Sequence, residues 1–429
     1  MENGNKGMKG NKGNKGYELA PCVVKFSINV DQFSKRLSTS VQNAVTSFCH
    51  VSKLEKEFSF FIPPIFQCIN QDAISQDSQQ VASLKSELED WVSDFYGSFI
   101  KPAYGERVVN HAVSYVLRLC PSYPIHSEKF RVLSHCFIIS TILDDWLDDT
   151  KSKSGWTDDD DKNELDLKKI KYFDMVREAV VEAFKYEDSD GIDLHDLETH
   201  AINMEMIKDQ PFLFVIADSA KEIFKFAKTA NPNLSNGKFL KLLKIEFVRC
   251  FESLGWTFVK SREGGLDDYC VDTFRYFRTL EAGLPIYMNV IKMLENIELP
   301  QFVRIHPVFT KWHEIADKFV GILNDLLGLQ KQLLYGEEDG TVFFKVRKGL
   351  SLNDAIDDEI KVLEELVKDY IKLRKFVLTK FPDCKELPLY VEFVEGWLFG
   401  SLYTFKDSKQ YGMQDQIRVE NCEITRTTM

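Results

Sequence analysis

An all-α fold is predicted for this 429-residue chain by three observations. Apolar residues recur at steps of three and four from about residue 80 onward, the period of a helix face. Phenylalanine is abundant, 33 residues against 22 Gly and 13 Pro, a balance that suits long helices with large side chains inside. No convincing alternating strand run stands out, and no stretch rich in Pro, Gly or Ser divides residues 60–411, so one helical domain accounts for them.

The elements follow in order. Residues 1–16 are a Gly/Asn/Lys repeat without an apolar core, which reads as low-complexity chain and not as a signal peptide. They open an expected flexible tail over 1–57. Phe58 to Pro64 reads as extended, because paired prolines delay a helix start. Helices are expected at 81–96, 108–119 and 130–149, near 166–186 and 200–228, then at 239–256, 268–280, 283–296, 308–335, 351–379 and 389–407. The breaks fall at Asn231-Pro232-Asn233, Leu299-Pro300, Phe381-Pro382 and the glycines at 264–265 and 336–340. The main domain is placed at 58–411 and a C-terminal tail at 412–429.

Composition excludes several functions. The net charge of −12 argues against a general affinity for nucleic acid or anionic membranes. Nine scattered cysteines without CxxC spacing indicate neither a disulfide framework nor a zinc site. No run approaches the roughly 20 apolar residues of a membrane span, so a cytoplasmic protein is expected. Asp158 to Asp161 reads as a solvated acidic loop. Asp188 to Asp193 resembles the middle of a calcium loop, but Tyr186 and Leu197 stand where its anchoring carboxylates are required.

Chemistry concentrates in three places. Asp144-Asp145-Trp146-Leu147-Asp148-Asp149 packs four carboxylates into six positions at the end of an apolar helix. Like charges at helical spacing repel, and hard oxygen donors so placed suit Mg²⁺. Further on, Asn324, Gly328 and Gln332 are spaced i, i+4, i+8 and stack on one face, with an amide at each end and room at the glycine. Upstream, Arg278 precedes Ala282-Gly283 and Pro285, where a helix must break or kink and expose carbonyls. The Arg278 guanidinium offers a donor fork for a phosphate. Lys409-Gln410-Tyr411 adds a cation and a hydroxyl after an aromatic helix.

These residues resemble the class I terpene cyclases of the microbial type, and most of all those of octocorals. Asp144, Asp145 and Asp148 match the family's aspartate-rich motif DDxx(D/E), and Asn324, Asp325, Gly328 and Gln332 match its second motif, with Lys331 at the diphosphate-contacting lysine. Arg278, forty-six positions before Asn324, falls on the diphosphate sensor, and Glu281 and Ala282 fall on the linker and effector positions. Two positions depart: Gln332 stands for a carboxylate, and Gln410-Tyr411 for an Arg-Tyr pair, whose missing arginine Lys409 would replace.

The resemblance implies a single α-helical bundle around an apolar active-site cavity. It also implies three Mg²⁺ ions, held by Asp144 and Asp148 on one side and Asn324, Gly328 and Gln332 on the other. Arg278, Lys331, Lys409 and Tyr411 would bind the diphosphate, Asp145 would pair with Arg278, and the Ala282 carbonyl would face the allylic cation. The expected reaction is Mg-dependent ionisation and cyclisation of an isoprenoid diphosphate with release of diphosphate, a carbon-oxygen lyase reaction. Geranylgeranyl diphosphate is favoured, giving a diterpene, ahead of farnesyl diphosphate. A chain-elongating prenyltransferase and a non-catalytic diphosphate-binding protein are the alternatives. Phe66, Trp91, Phe137, Phe277, Trp312 and Trp397 are candidates for the pocket wall. A homodimer is allowed.

Overall fold

The computed structural model describes residues 19–47, 52–64, 66, 79–147, 268–407, 413 and 416–421, with scattered positions between 215 and 253. The chain opens with strand β1, Ala20–Asn29, then helix α1, Thr39–Thr46, and strand β2, Lys53–Ile62. Helices α2, Gln79–Tyr96, α3, Pro102–Leu119, and α4, Glu128–Leu147, follow. After the scattered positions come α5, Val271–Glu281, α6, Leu284–Glu295, the short α7, Gln301–Arg304, α8, Pro307–Leu327, and α9, Leu329–Tyr335. The series closes with α10, Thr341–Arg347, α11, Leu352–Lys380, α12, Leu387–Asp407, and strand β3, Ile417–Asn421.

The helical class agrees with the periodicity, and the local chemistry explains the boundaries. Val81, Leu84, Leu88, Val92 and Tyr96 give α2 one buried stripe at three- and four-residue steps. Pro102 and Pro307 occupy first turns, where a missing amide hydrogen costs nothing. Ser351 caps α11 by accepting from the Asp354 amide at 3.1 Å. Helix α8 packs against α11 and α5, and α12 against α3. At Gly396 and Gly400 a Cβ would stand 2.4 Å and 2.5 Å from the Leu119 and Arg118 carbonyl oxygens, so this glycine pair lets the end of α3 come close.

Two expectations need correction. The segments expected as tails, 1–57 and 412–429, contain β1, α1, half of β2 and all of β3, and the three strands form an antiparallel sheet in the order β2-β1-β3. The register runs from Ala20 opposite Ile62 to Asn29 opposite Lys53, and from Cys22 opposite Asn421 to Phe26 opposite Ile417. The signal is the alternation Cys22, Val24, Phe26, Ile28, all buried, which follows the low-complexity repeat closely enough to be read as part of it. The sheet covers the bundle: Phe60 stacks on Phe319 at 5.0 Å, Phe61 on Tyr370 at 5.2 Å, and Glu364 accepts from the Ser59 amide at 2.9 Å on the β2 edge. The second correction lies at 308–335, which breaks at Gly328 into α8 and α9.

Candidate active site

At the base of the site sits a buried ion cluster. Arg278 on α5 donates to Asp325 Oδ1 on α8 from Nε at 3.2 Å and from Nη2 at 2.7 Å, and from Nη1 to Glu281 at 2.6 Å. The other Asp325 oxygen accepts from the amide and the hydroxyl of Thr341, each at 2.8 Å. Burial works against the Arg278 charge, but Asp325, Glu281 and Asp339 more than offset it and hold the guanidinium pKa well above its ordinary value. Asp325 is therefore the organiser of this wall: four hydrogen bonds saturate its carboxylate and fix Arg278. Ser253 adds contacts to the Phe277 carbonyl and to Glu281.

The break beside Arg278 is confirmed in position. Helix α5 stops at Glu281, Gly283 takes φ of 71°, and α6 begins at Leu284 with Pro285 in its first turn. A left-handed residue is needed to turn the chain there, which favours glycine. Ala282 lies between the two helices, half-buried against the core.

On the aspartate-rich side, helical geometry separates neighbours. Asp144 is exposed at the end of α4, whereas Asp145 is buried. The expected pairing of Asp145 with Arg278 is corrected: Asp145 accepts from Tyr104 at 2.8 Å and from Arg107 at 3.1 Å, both on α3. Burial, reinforced by Asp145, raises the Tyr104 hydroxyl pKa, so it stays a donor. The cause is topological, since α3 lies against α4 while Arg278 is already claimed by Asp325 on α8. Both walls act on one group, because Asp144 and Glu281 each contribute to raising the buried Cys250 thiol, after burial itself.

On the amide side, the i, i+4, i+8 stack survives the helix break. The Gly328 amide donates to the Asn324 carbonyl at 2.7 Å and the Gln332 amide to the Gly328 carbonyl at 3.0 Å. A Cβ at Gly328 would lie 2.5 Å from the Asn324 carbonyl oxygen, so glycine is a steric need here as well as a gap. Gln332 is buried, donates from Nε2 to Asp339 at 3.1 Å, and leaves Oε1 without a hydrogen-bond partner among the described residues. Lys331 stands 3.7 Å from Glu337. Burial, then Lys331 and Arg107, push the His111 imidazole down to about 3, so it is neutral.

Sequence reading missed Tyr104, Arg107, His111, Asp339 and Thr341. The first three sit at i, i+3, i+7 on α3, a polar stripe on a helix otherwise rich in buried apolar residues. Asp339 and Thr341 carry no local signal, since their partners lie on other elements. Asp148, Lys409, Tyr411, the acidic loop 158–161 and the calcium-like stretch 188–193 lie outside the described residues.

An aromatic file leads away from this polar end. His111 meets Tyr115 at 4.5 Å, Tyr115 meets Phe137 at 5.0 Å, and Phe137, Tyr287 and Trp397 stack at 4.2 to 5.6 Å across α4, α6 and α12. Of the expected wall residues, Phe137 and Trp397 belong to this file. Trp312 packs against Phe309, Tyr370 and Tyr390 instead, Phe66 against Phe399, and Trp91 against Phe95, Tyr96 and His135. Phe277 meets its neighbour Tyr276.

The donor set fits a hard divalent cation. Asp144, Asn324, Gln332 and Asp339 offer oxygen alone, and the orphaned Gln332 Oε1 is a buried acceptor still lacking a partner. No three His, Cys, Asp or Glu side chains gather as a complete cage among the described residues.

Comparison with known proteins agrees with this geometry. A family model described as terpene synthase family 2, C-terminal metal binding, matches residues 195–369. A (+)-germacrene D synthase of Selaginella moellendorffii is 25% identical over 135 residues, 31% of this chain and 39% of that protein. The matched stretches span 39% to 54% of the curated relatives' lengths. Among solved structures, α-eudesmol synthase aligns with a TM-score of 0.58 at 14% identity, covering 76% of this chain and 95% of that one. The 2-methylisoborneol synthase of Streptomyces coelicolor A3(2), solved with Mg²⁺ and geranyl-S-thiolodiphosphate, aligns with a TM-score of 0.57 at 13% identity, covering 79% and 94%. Residues 195–369 thus match the metal-binding model of a terpene synthase family, and the fold of the chain is similar to that of class I terpene synthases.

Proposed function

We propose that this protein ionises and cyclises an isoprenoid diphosphate, geranylgeranyl diphosphate first and farnesyl diphosphate second, and releases diphosphate. The observation that carries the reading is the Arg278–Asp325 cluster together with an aromatic file headed by His111, an imidazole on which the charge of Lys331 acts. Mg²⁺, bound between the walls, would neutralise the leaving diphosphate. Asp144 and Asp148 would hold it on one side, Asn324 and Gln332 on the other.

The chain's own residues do the rest. Arg278, held by Asp325 and Glu281, and Lys331, beside Glu337, keep two cations at this wall, and their charge would favour a bound diphosphate. Lys409 and Tyr411 have the same proposed role on the strength of the resemblance. Neutral His111 adds no competing charge. Phe137, Tyr287 and Trp397 would offer π faces to an allylic cation, each contributing ~0.5–2 kcal/mol when desolvated. Burial of that wall excludes the water that would quench the cation.

Among the described residues no helix is long and apolar enough to cross a membrane. Purified protein with Mg²⁺ and geranyl, farnesyl or geranylgeranyl diphosphate, followed by mass analysis of the extract, tests the reading. A cyclic hydrocarbon or alcohol upholds it. A longer linear diphosphate points to chain elongation, and unchanged substrate to a binding protein that has lost turnover.

A further inference from the structure

The second motif ends in an amide, and the structure shows a carboxylate brought to it from outside the motif. Asp339 lies in the turn between α9 and α10, and its Oδ1 accepts from Gln332 Nε2 at 3.1 Å. Its Oδ2 stands 3.7 Å from Arg278 Nη1. Asp325 cannot serve as this carboxylate, because Arg278 and Thr341 already occupy both its oxygens.

The turn is held in place on both sides. Glu338 accepts from the Ser38 amide and, at 2.9 Å, from the Ser38 hydroxyl, so the segment after β1 grips it. Arg347 of α10 donates to the Glu338 carbonyl at 2.8 Å. Glu337 faces Lys331. Asp339, between a gripped residue and Gly340, is thus presented to the site with a third of its side chain exposed, 32%.

We propose that Gln332 and Asp339 act together as the carboxylate end of the second metal motif, with Asp339 supplying the negative oxygen and Gln332 its carbonyl oxygen. Octahedral Mg²⁺ with ligands at 2.0–2.1 Å spaces adjacent oxygens about 3 Å apart. The Gln332 amide and the Asp339 carboxylate already stand at that separation. Turning the amide over places Oε1 where Nε2 now donates, so the metal-free contact and the metal-bound contact use the same two side chains. Gly340 leaves room for the turn: a Cβ there would lie 2.9 Å from Oε1 and 3.0 Å from Nε2. Asn324, one helical stack below, completes the donor set. The inference rests on the metal-diphosphate reading of the site.

The test measures Mn²⁺ as a stand-in for Mg²⁺, by electron paramagnetic resonance in the presence of inorganic diphosphate, on the full chain. Asp339→Asn is expected to weaken Mn²⁺ binding at least tenfold, and Asp339→Glu to retain most of it. Gln332→Glu in the Asp339→Asn background is expected to restore binding, and to gain much less in the wild-type background, where the carboxylate is already present. Thermal denaturation of each variant checks that it is folded, and Asp339→Glu keeps the test open if Asp339→Asn is not. Equal Mn²⁺ binding by wild type and Asp339→Asn overturns the role of Asp339 and leaves the metal site standing. Equal gains from Gln332→Glu in both backgrounds also overturn it. No Mn²⁺ binding by wild type overturns the inference and the metal-diphosphate reading together.

Discussion

Asp144 on α4 and Asp325 on α8 both come from acidic motifs, yet Asp144 stands in solvent and Asp325 has no exposed surface. Beside Asp144, Asp145 is drawn to Tyr104 and Arg107 of the adjacent helix. Around Asp325, donors from α5 and α10 fix one arrangement before any ligand arrives. The difference separates two kinds of site residue. An exposed carboxylate costs little when removed from the empty protein and matters when a cation must be held. A buried, fully bonded carboxylate holds the fold and Arg278 together.

The most severe test of this contrast is to break the buried wall. Asp325→Ala leaves Arg278 buried with Glu281 and the more distant Asp339, and should cost about 3–5 kcal/mol of stability in denaturant unfolding. A stability change under ~1 kcal/mol would falsify the claim that this pair organises the wall. Asp144→Ala should do the reverse. Its unfolding midpoint should match wild type, while turnover on the preferred diphosphate falls by about 10²–10³-fold. Unchanged turnover would remove Asp144 from the site.

A smaller effect is expected from the glycine that joins the amide stack. Gly328→Ala forces a methyl against the Asn324 carbonyl oxygen, and should cost about 1–3 kcal/mol with a loss of metal affinity. Full stability would mean that the α8–α9 break relaxes freely. A pH-dependent effect lies in the core, where His135 packs between Trp91 and Phe226. Burial pushes its imidazole down to about 3, so below pH 6.5 the unfolded chain takes up a proton that the folded protein refuses. Stability falls as pH drops through that window, by about 1.4 kcal/mol per pH unit for this group. His135→Asn should flatten the wild-type slope by that amount, and parallel slopes would rule out the assignment.

The helical bundle was legible because amphipathic periodicity is a local property: α2, α8 and α11 announce their buried faces residue by residue. The break at Ala282-Gly283 was legible for the same reason, since glycine and proline act on their own backbone. The sheet was less so. β1 carries clear alternation, but β3 is five residues long and is recognised by its pairing with β1, which lies almost four hundred positions away.

For the site, the sequence by itself determined which residue types are available and at what helical spacing. Asp144, Arg278, Asn324, Gly328 and Gln332 are all read from short stretches, because an α-helix converts spacing directly into a shared face. Only the tertiary structure decided their partners. Asp145 went to Arg107 and Tyr104, and Arg278 to Asp325, across elements that packing alone makes neighbours, while Gln332 met Asp339 through the turn that follows α9. Charge complementarity names several possible partners for every buried ion, and the choice falls to whichever donor the packed helices bring within about 3 Å.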